Sequence, residues 1–222
     1  MDIKEISDLR ESYNIRYSCD PIENTRKTYQ WIISLLKPLK EKTLLDIACG
    51  GGTLLNMAKL DSLIPFGVDI SDKALDIACK NGNGNFIALA NGENLPFGES
   101  TFDYVVNLGS LEHFLDMNNG IKEMARVVKP DGVVCIMVPN FFPLYEILHA
   151  LRTGDGRKQN QDLERFLCVN EWREIINLNG LKVRKIIKYN GKGWDKNIKR
   201  LLLRYITPLN LSDHFVFICN KL

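Results

Sequence analysis

The sequence predicts a doubly wound α/β fold, a largely parallel sheet with helices on both faces. Three observations carry this. Short apolar runs alternate with segments of helical period through residues 43 to 138. The run Val133–Val138 is apolar throughout, as a strand buried on both faces should be. Finally, the run Thr43–Ile47 passes through Cys49-Gly50-Gly51-Gly52 before helical spacing resumes at Leu54, Leu55 and Ala58.

Each element has a local reason. Asp20 reads as an N-cap, with Pro21 at the first helical position and Glu23 closing a capping box. That helix runs to about Lys37, with Tyr29, Ile32, Ile33 and Leu36 on one face, and Pro38 ends it. The strand Thr43–Ile47 is followed by a helix over Thr53–Leu60, and a second strand covers Pro65–Asp69. Ser71 or Asp72 then caps a helix from Lys73 to Cys79. Phe86–Leu89 and Phe102–Leu108 read as the third and fourth strands. Ile121, Met124, Ala125 and Val128 keep i, i+3, i+4, i+7 spacing, so a helix spans 117 to 128. Lys129-Pro130-Asp131-Gly132 reads as a turn into the fifth strand.

After Pro139 the rhythm changes. Residues 140 to 169 hold aromatics (Phe141, Phe142, Tyr145, Phe166) and a polar loop, Thr153–Gln161. Asn170 reads as the cap of a helix with Trp172, Ile175 and Ile176 on one face and Gly180 as its stop. Leu181–Tyr189 and His214–Cys219 read as two more strands, around a helix-like piece from Asp195 to Tyr205.

At 222 residues, 45% hydrophobic and 25% charged, the chain reads as one ordinary globular domain. No apolar run approaches a membrane span, and the mixed-charge start Met1-Asp2-Ile3-Lys4-Glu5 lacks the order of a signal peptide, so a cytoplasmic protein is expected. Six scattered cysteines without a C-x-x-C pair, and three scattered histidines, give no metal-ligand spacing, so no metal is expected. A net charge of +2 argues against a dedicated nucleic-acid binder.

The glycine turn points to a bound nucleoside when read with three later features. As a dinucleotide fingerprint it fails, because the third glycine position is Leu55. Asp69, closing the second strand, can accept from both ribose hydroxyls; it can equally serve as the N-terminal charge of the next helix. Asn91-Gly92, after the third strand, can read the edge of an adenine or form an ordinary turn. His113 lies just past the end of the fourth strand, where open α/β sheets bind ligands.

These blocks together resemble the class I S-adenosylmethionine-dependent methyltransferases, especially the ubiquinone/menaquinone-biosynthesis-like group. The resemblance covers residues 42 to 140. It rests on Leu45-Asp46-Ile47-Ala48-Cys49-Gly50-Gly51-Gly52, Gly67-Val68-Asp69-Ile70-Ser71, Glu93-Asn94-Leu95-Pro96-Phe97, Phe102-Asp103-Tyr104-Val105-Val106, Leu111-Glu112-His113 and Val128-Lys129-Pro130-Asp131-Gly132. It implies a Rossmann-like sheet of about seven strands, mostly parallel, with an antiparallel last strand inserted. It also implies S-adenosyl-L-methionine as cofactor and S-adenosyl-L-homocysteine as product. Asp46 and the Ala48–Gly52 backbone, Cys49 and Gly50 included, would hold the amino-acid end. Asp69 would hold the ribose and Ile70 would pack on the adenine, whose edge Asn91 and Gly92 would meet, with Glu93 beside them. Leu108 and His113 would lie near the sulfonium. Two positions depart from the family: Ala48 stands where glycine is usual, and Asn91 where Asp is common. A positive φ at Ala48 would add strain of ~1 kcal/mol.

The expected layout is a helical cap (1–40), a cofactor core (42–140), an acceptor insertion (140–169) and a C-terminal helix with strands (170–222). His113 is the candidate base for a hydroxyl acceptor and Glu112 the second candidate. Tyr13 and Tyr17 could close over the cofactor. A small-molecule acceptor, anionic or lipid-like, is expected, with RNA or protein methylation and non-catalytic cofactor binding as the alternatives. Support for a phosphate, membrane or RNA partner comes from nine Lys or Arg over residues 181–204 (Lys182, Arg184, Lys185, Lys188, Lys192, Lys196, Lys199, Arg200, Arg204), which also read as a solvated face.

Overall fold

The structure, a computed structural model, describes residues 3–19, 25–82, 86–157, 163–191 and 206–222. Seven strands form one sheet: β1 (Thr43–Ile47), β2 (Ile64–Asp69), β3 (Phe86–Leu89), β4 (Phe102–Leu108), β5 (Val128–Pro139), β6 (Leu181–Tyr189) and β7 (His214–Lys221), in the order β3-β2-β1-β4-β5-β7-β6. The strands from β3 to β5 pair in parallel. The last strand, β7, enters between β5 and β6 and is antiparallel to both. Order reverses at β1, with β2 on one side and β4 on the other, which opens a crevice at the strands' C-terminal ends.

Alternation along the strands sends side chains to two cores. On one face Leu44, Tyr104, Val106, Cys135, Met137 and Val216 pack under α2 (Arg26–Leu36) and α3 (Thr53–Leu60). On the other, Leu45, Ile47, Val105, Val134, Ile136, Phe215 and Phe217 pack under α5 (Met117–Val127) and α7 (Val169–Leu178), through Ile121, Met124, Trp172 and Ile176. Trp172 also donates its indole N–H to the Pro139 carbonyl at 3.0 Å, so its polar atom is satisfied in the core. Ser71 caps α4 (Asp72–Asn81) through its hydroxyl, which accepts from Ala74 N–H.

Several local expectations shift. The capping residues Asp20, Pro21 and Glu23 lie outside the described residues; α2 starts at Arg26, with Thr25 as its cap accepting from Thr28 N–H. Lys129–Gly132 does not separate helix from strand. It bulges within β5, because Phe102 pairs with Val128 while Tyr104 pairs with Val133. Lys129 reaches Asp103 at 2.9 Å across that bulge, and Gly132 is free of a Cβ that would sit 2.8 Å from the Asp103 carbonyl. Cys168, not Asn170, caps α7: its N–H donates to Glu171 at 2.6 Å, while Asn170 accepts from Arg173. The piece Asp195–Tyr205 lies outside the described residues, as do Lys192, Lys196, Lys199, Arg200 and Arg204. Lys182, Arg184 and Lys185 are exposed on β6, which ends the sheet, where charge opposes edge pairing.

Two helices carry no clear sequence announcement, α1 (Ile3–Cys19) and α6 (Leu144–Thr153). α6 buries none of its residues. α1 is latched to the start of α4 by polar bonds: Arg10 and Asn14 donate to Asp72, and Ser71 donates to Asn14.

Phe114 sits where two glycines approach it closely. A Cβ on Gly92 would lie 2.5 Å from its ring and 2.9 Å from Ile47, and one on Gly120 would lie 2.4 Å from the ring. Gly120 is interior to α5, where alanine normally gains about 0.5–1 kcal/mol. Here the ring is held from the Gly92 side and cannot yield. Gly120→Ala is therefore expected to destabilise by about 1–3 kcal/mol in urea denaturation, the cost of overpacking.

Candidate functional site

The cleft opens at the reversal of strand order, as the topology requires. It holds about 890 Å³ including its open mouth, a size suited to a small molecule. Its floor is the loop after β1. The chain leaves Ile47 and turns through Ala48 at φ +61° and Gly50 at φ +53°, with Gly52 at φ +77° starting α3. Ala48 therefore has the positive φ that makes a methyl strained.

Asp69 anchors this loop. Its carboxylate accepts from Gly50 N–H at 2.9 Å and from Ser71 N–H at 2.8 Å, one donor on each oxygen. A carboxylate oxygen has a further lone pair, so the pair can still receive ligand hydroxyls. Burial raises the Asp69 pKa, and the Ser71 and Gly50 N–H groups pull it back. Asp46, beneath the loop, is buried and its carboxylate has no donor among the described residues. Burial and the neighbouring Asp69 push it well above the usual carboxylate range. A buried acid without a donor is costly, and it is complementary to a ligand's cationic group.

The absent glycine at Leu55 has a structural answer. A Cβ on Gly67 would lie 2.7 Å from Leu55 Cδ1 and 2.8 Å from Cys49 Sγ. The close helix–strand approach is thus preserved, with the glycine on β2 rather than on the helix.

Of the residues the resemblance selected, Ala48, Cys49, Gly50, Asp69 and Ile70 line the cleft on the β1–β2 side. Asn91, Gly92, Glu93, Leu108 and His113 line the β3–β4 side. Asp46, Gly52 and Glu112 are not among the lining residues. Glu93 braces the turn after β4, since its two oxygens accept from Leu115 and Asp116 N–H at 2.8 and 3.0 Å. Asn91 acts as a turn residue, its Oδ1 accepting from Glu93 N–H at 3.0 Å. Gly92 leaves no room for a Cβ, which would meet Phe114 and Ile47.

Tyr13 and Tyr17 of α1 line the roof with Tyr29 of α2. Burial, first, and nearby carboxylates raise both α1 phenols, so they are un-ionised at neutral pH. Tyr29, Gly109, Ser110 and Phe114 were not singled out from sequence as lining. Tyr29 has no local signal beyond its helix face, and the others follow from the turn after β4.

That turn, a 3-10 turn over Leu111–His113, carries the most chemistry. The Leu163 carbonyl lies 2.5 Å from His113 Nδ1. A carbonyl only accepts, so Nδ1 carries the proton and Nε2 is a bare acceptor. Burial lowers the His113 pKa, which keeps the ring neutral. Glu112 Oε1 is 3.9 Å from Nε2, too far for a hydrogen bond. Among the described residues neither Glu112 Oε2 nor Ser110 Oγ has a partner, and both are buried. Burial pushes the Glu112 carboxyl up to about 8, with Glu164 adding to it.

Residues 45–136 match a family described as a methyltransferase domain. The chain is 31% identical over 191 residues to the ubiquinone biosynthesis O-methyltransferase of Pelagibacter ubique, spanning 80% of this chain and 76% of that one. The chain belongs to the class I S-adenosylmethionine-dependent methyltransferases. Within that family it falls in the ubiquinone/menaquinone-like group, and its cofactor is S-adenosylmethionine. It is also 30% identical to the arginine-hydroxylase NDUFAF5 of Rattus norvegicus, over 61% of this chain and 41% of that protein. A SAM-dependent methyltransferase from Thermotoga maritima shares the fold, with a TM-score of 0.67 at 17% identity over 99% of this methyltransferase and 98% of that chain.

Two measurements follow from this geometry. Ala48→Gly relieves the left-handed strain and is expected to raise the unfolding free energy by about 1 kcal/mol in urea titration. The second concerns Glu112, whose folded pKa of about 8 exceeds its unfolded value, so the folded state holds the proton more tightly. That stabilisation is complete below the unfolded pKa and disappears as pH rises through about 8. Between about pH 5 and pH 8 the wild type should lose on the order of a few kcal/mol that Glu112→Gln retains. Denaturant curves at the two pH values read the difference directly.

Proposed function

We propose that this methyltransferase acts on a small-molecule acceptor, with His113 taking the acceptor's proton. The observation that carries this reading is the neutral imidazole in the cleft wall, its Nδ1 committed to Leu163 and its Nε2 bare. S-adenosylmethionine supplies an activated methyl group on a sulfonium. The residues fit it: Asp46, lacking a donor, suits the cationic amino-acid end together with the Ala48–Gly52 loop. Asp69 suits the ribose through its remaining lone pairs. Ile70 and the Asn91–Gly92 turn would hold the adenine, and Leu108 and His113 would lie toward the reacting end.

The acceptor's side is small and sheltered. Tyr13, Tyr17 and Tyr29 roof the cleft, which favours a compact acceptor over a polymer. Phe141, Phe142 and Tyr145, half-exposed past the end of β5, offer apolar surface at the acceptor insertion. The relative from Pelagibacter ubique is named for a step of ubiquinone biosynthesis, consistent with an apolar hydroxylated acceptor. An RNA or protein acceptor rests on the basic strand β6, yet there Arg184 binds Asn220 and Lys188 binds the Thr207 carbonyl. The name of the rat relative keeps a chemistry other than methyl transfer within reach of similar chains.

The test uses S-adenosylmethionine labelled in its methyl group and a cell extract separated into metabolite, RNA and protein fractions. Label is expected in the metabolite fraction; label confined to RNA or protein would sink the small-molecule reading. His113→Ala should slow transfer by about 10²–10⁴-fold while binding S-adenosylhomocysteine as the wild type does. Undiminished transfer would remove His113 as the base.

A further inference from the structure

The turn that carries His113 is gripped from two sides. Glu93 takes its N–H groups, at Leu115 and Asp116. Arg165 takes its carbonyls. The guanidinium donates to Phe114 O and, at 3.2 Å, to Leu115 O, while Arg165 N–H donates to Glu112 O at 3.2 Å.

The same segment supplies the atom that sets the base. Leu163, two residues before Arg165, presents its carbonyl to His113 Nδ1. At its other end the segment is tied to the exit of β5, where Phe141 N–H donates to Leu167 O at 3.2 Å and Asn140 bridges Leu167.

We propose that Arg165 is a positioning residue: by clamping the 163–168 segment to the turn after β4, it keeps the Leu163 carbonyl on His113 Nδ1 and Nε2 free to accept a proton. This rests on the reading of His113 as the base. The charged groups around the ring are Glu112 on its own turn, Glu164 and Arg165 on the facing segment, and Arg16 on α1. They shift when the ring protonates, but among the described residues only the Leu163 carbonyl selects which nitrogen carries the proton of the neutral form. Arginine suits this position because its planar fork can serve two carbonyls at once, which a lysine ammonium does less well. The consequence is that docking of residues 163–168 on the turn and the tautomer of the base are coupled.

The tautomer can be read without turnover. The chain has three histidines, so 15N-imidazole spectra at about pH 8, above the ordinary histidine pKa, give few signals, and His113 is assigned as the one lost in His113→Ala. The wild type should show a protonated Nδ1 and a bare Nε2. In Arg165→Ala the Nε2–H form should become the major species, and Arg165→Lys should fall between the two. A thermal shift with S-adenosylhomocysteine checks that each variant is folded. A wild-type ring protonated on Nε2 overturns the proposal, whatever the variants do, and so does a folded Arg165→Ala that keeps the wild-type pattern. Should Arg165→Ala not fold, the wild-type spectrum and Arg165→Lys decide the matter. The base reading fails separately, through undiminished methyl transfer by His113→Ala with the tautomer as proposed.

Discussion

One carboxylate, Asp69, ties together the parts of the cleft that come from distant stretches of chain. Its bonds from Gly50 and Ser71 N–H join the loop after β1 to the start of α4. From there Ser71 continues to Asn14, and Asp72 to Arg10 and Asn14, so the roof helix α1 belongs to the same network. Charge-assisted bonds are the strong kind, and those of Asp69 work where solvent is excluded, whereas the Arg10–Asp72 pair is partly exposed. Burial alone would drive the carboxyl toward its neutral form; the backbone donors oppose that. Loop, buried acid and roof therefore share one set of polar contacts. Losing the acid would remove the bond that joins the loop to the start of α4.

The glycine loop depends on a second constraint, steric rather than electrostatic. Helix α3 must approach β2 closely for the loop to lie flat over the sheet. Leu55 fills the position where a dinucleotide-binding turn has its third glycine, and Gly67 yields the space from the opposite side. Ala78 performs a similar office for Gly52, whose added Cβ would stand 3.1 Å from the Ala78 Cβ. The same closeness has been reached with a different distribution of small residues. This is why Leu55 excluded one cofactor class from sequence without making the turn any looser.

What could be read from sequence divides along a physical line. The central strands β1 and β4 and the second half of β5 were legible because burial on both faces demands apolar runs, and α5 because one face alone is buried. Helix α1 was not, since polar bonds to Asp72 and Ser71 hold it more than an apolar stripe does. Nor was α6, which buries no residue. In the cleft, the turns themselves were legible, but the division of labour among their side chains was not. Glu93 and Asn91 line the cleft as their cofactor block suggests, and they also brace the turns around it. Their oxygens are engaged by backbone N–H groups of their own turns. The φ of Ala48 could only be posed as a question by a sequence, since the backbone angle depends on how the loop is pinned by Asp69.

The protonation states around the proposed base have a common logic. Glu112 and His113 are both nine-tenths buried or more, and burial drives each toward its neutral form. An ionised carboxylate at this point would attract a cationic donor in the ground state and hold that charge where it is. As a methyl group moves to a neutral nucleophile, positive charge spreads from sulfur toward the acceptor, so a fixed anion beside the starting charge favours the reactant more than the transition state. Only differential stabilisation accelerates a reaction. A neutral acid and a neutral imidazole avoid that penalty, and the imidazole still offers a lone pair for the proton released. Ser110 Oγ, buried and unpartnered among the described residues, fits the same picture: it lines the cleft, and its desolvation is a cost that a ligand's polar group would offset.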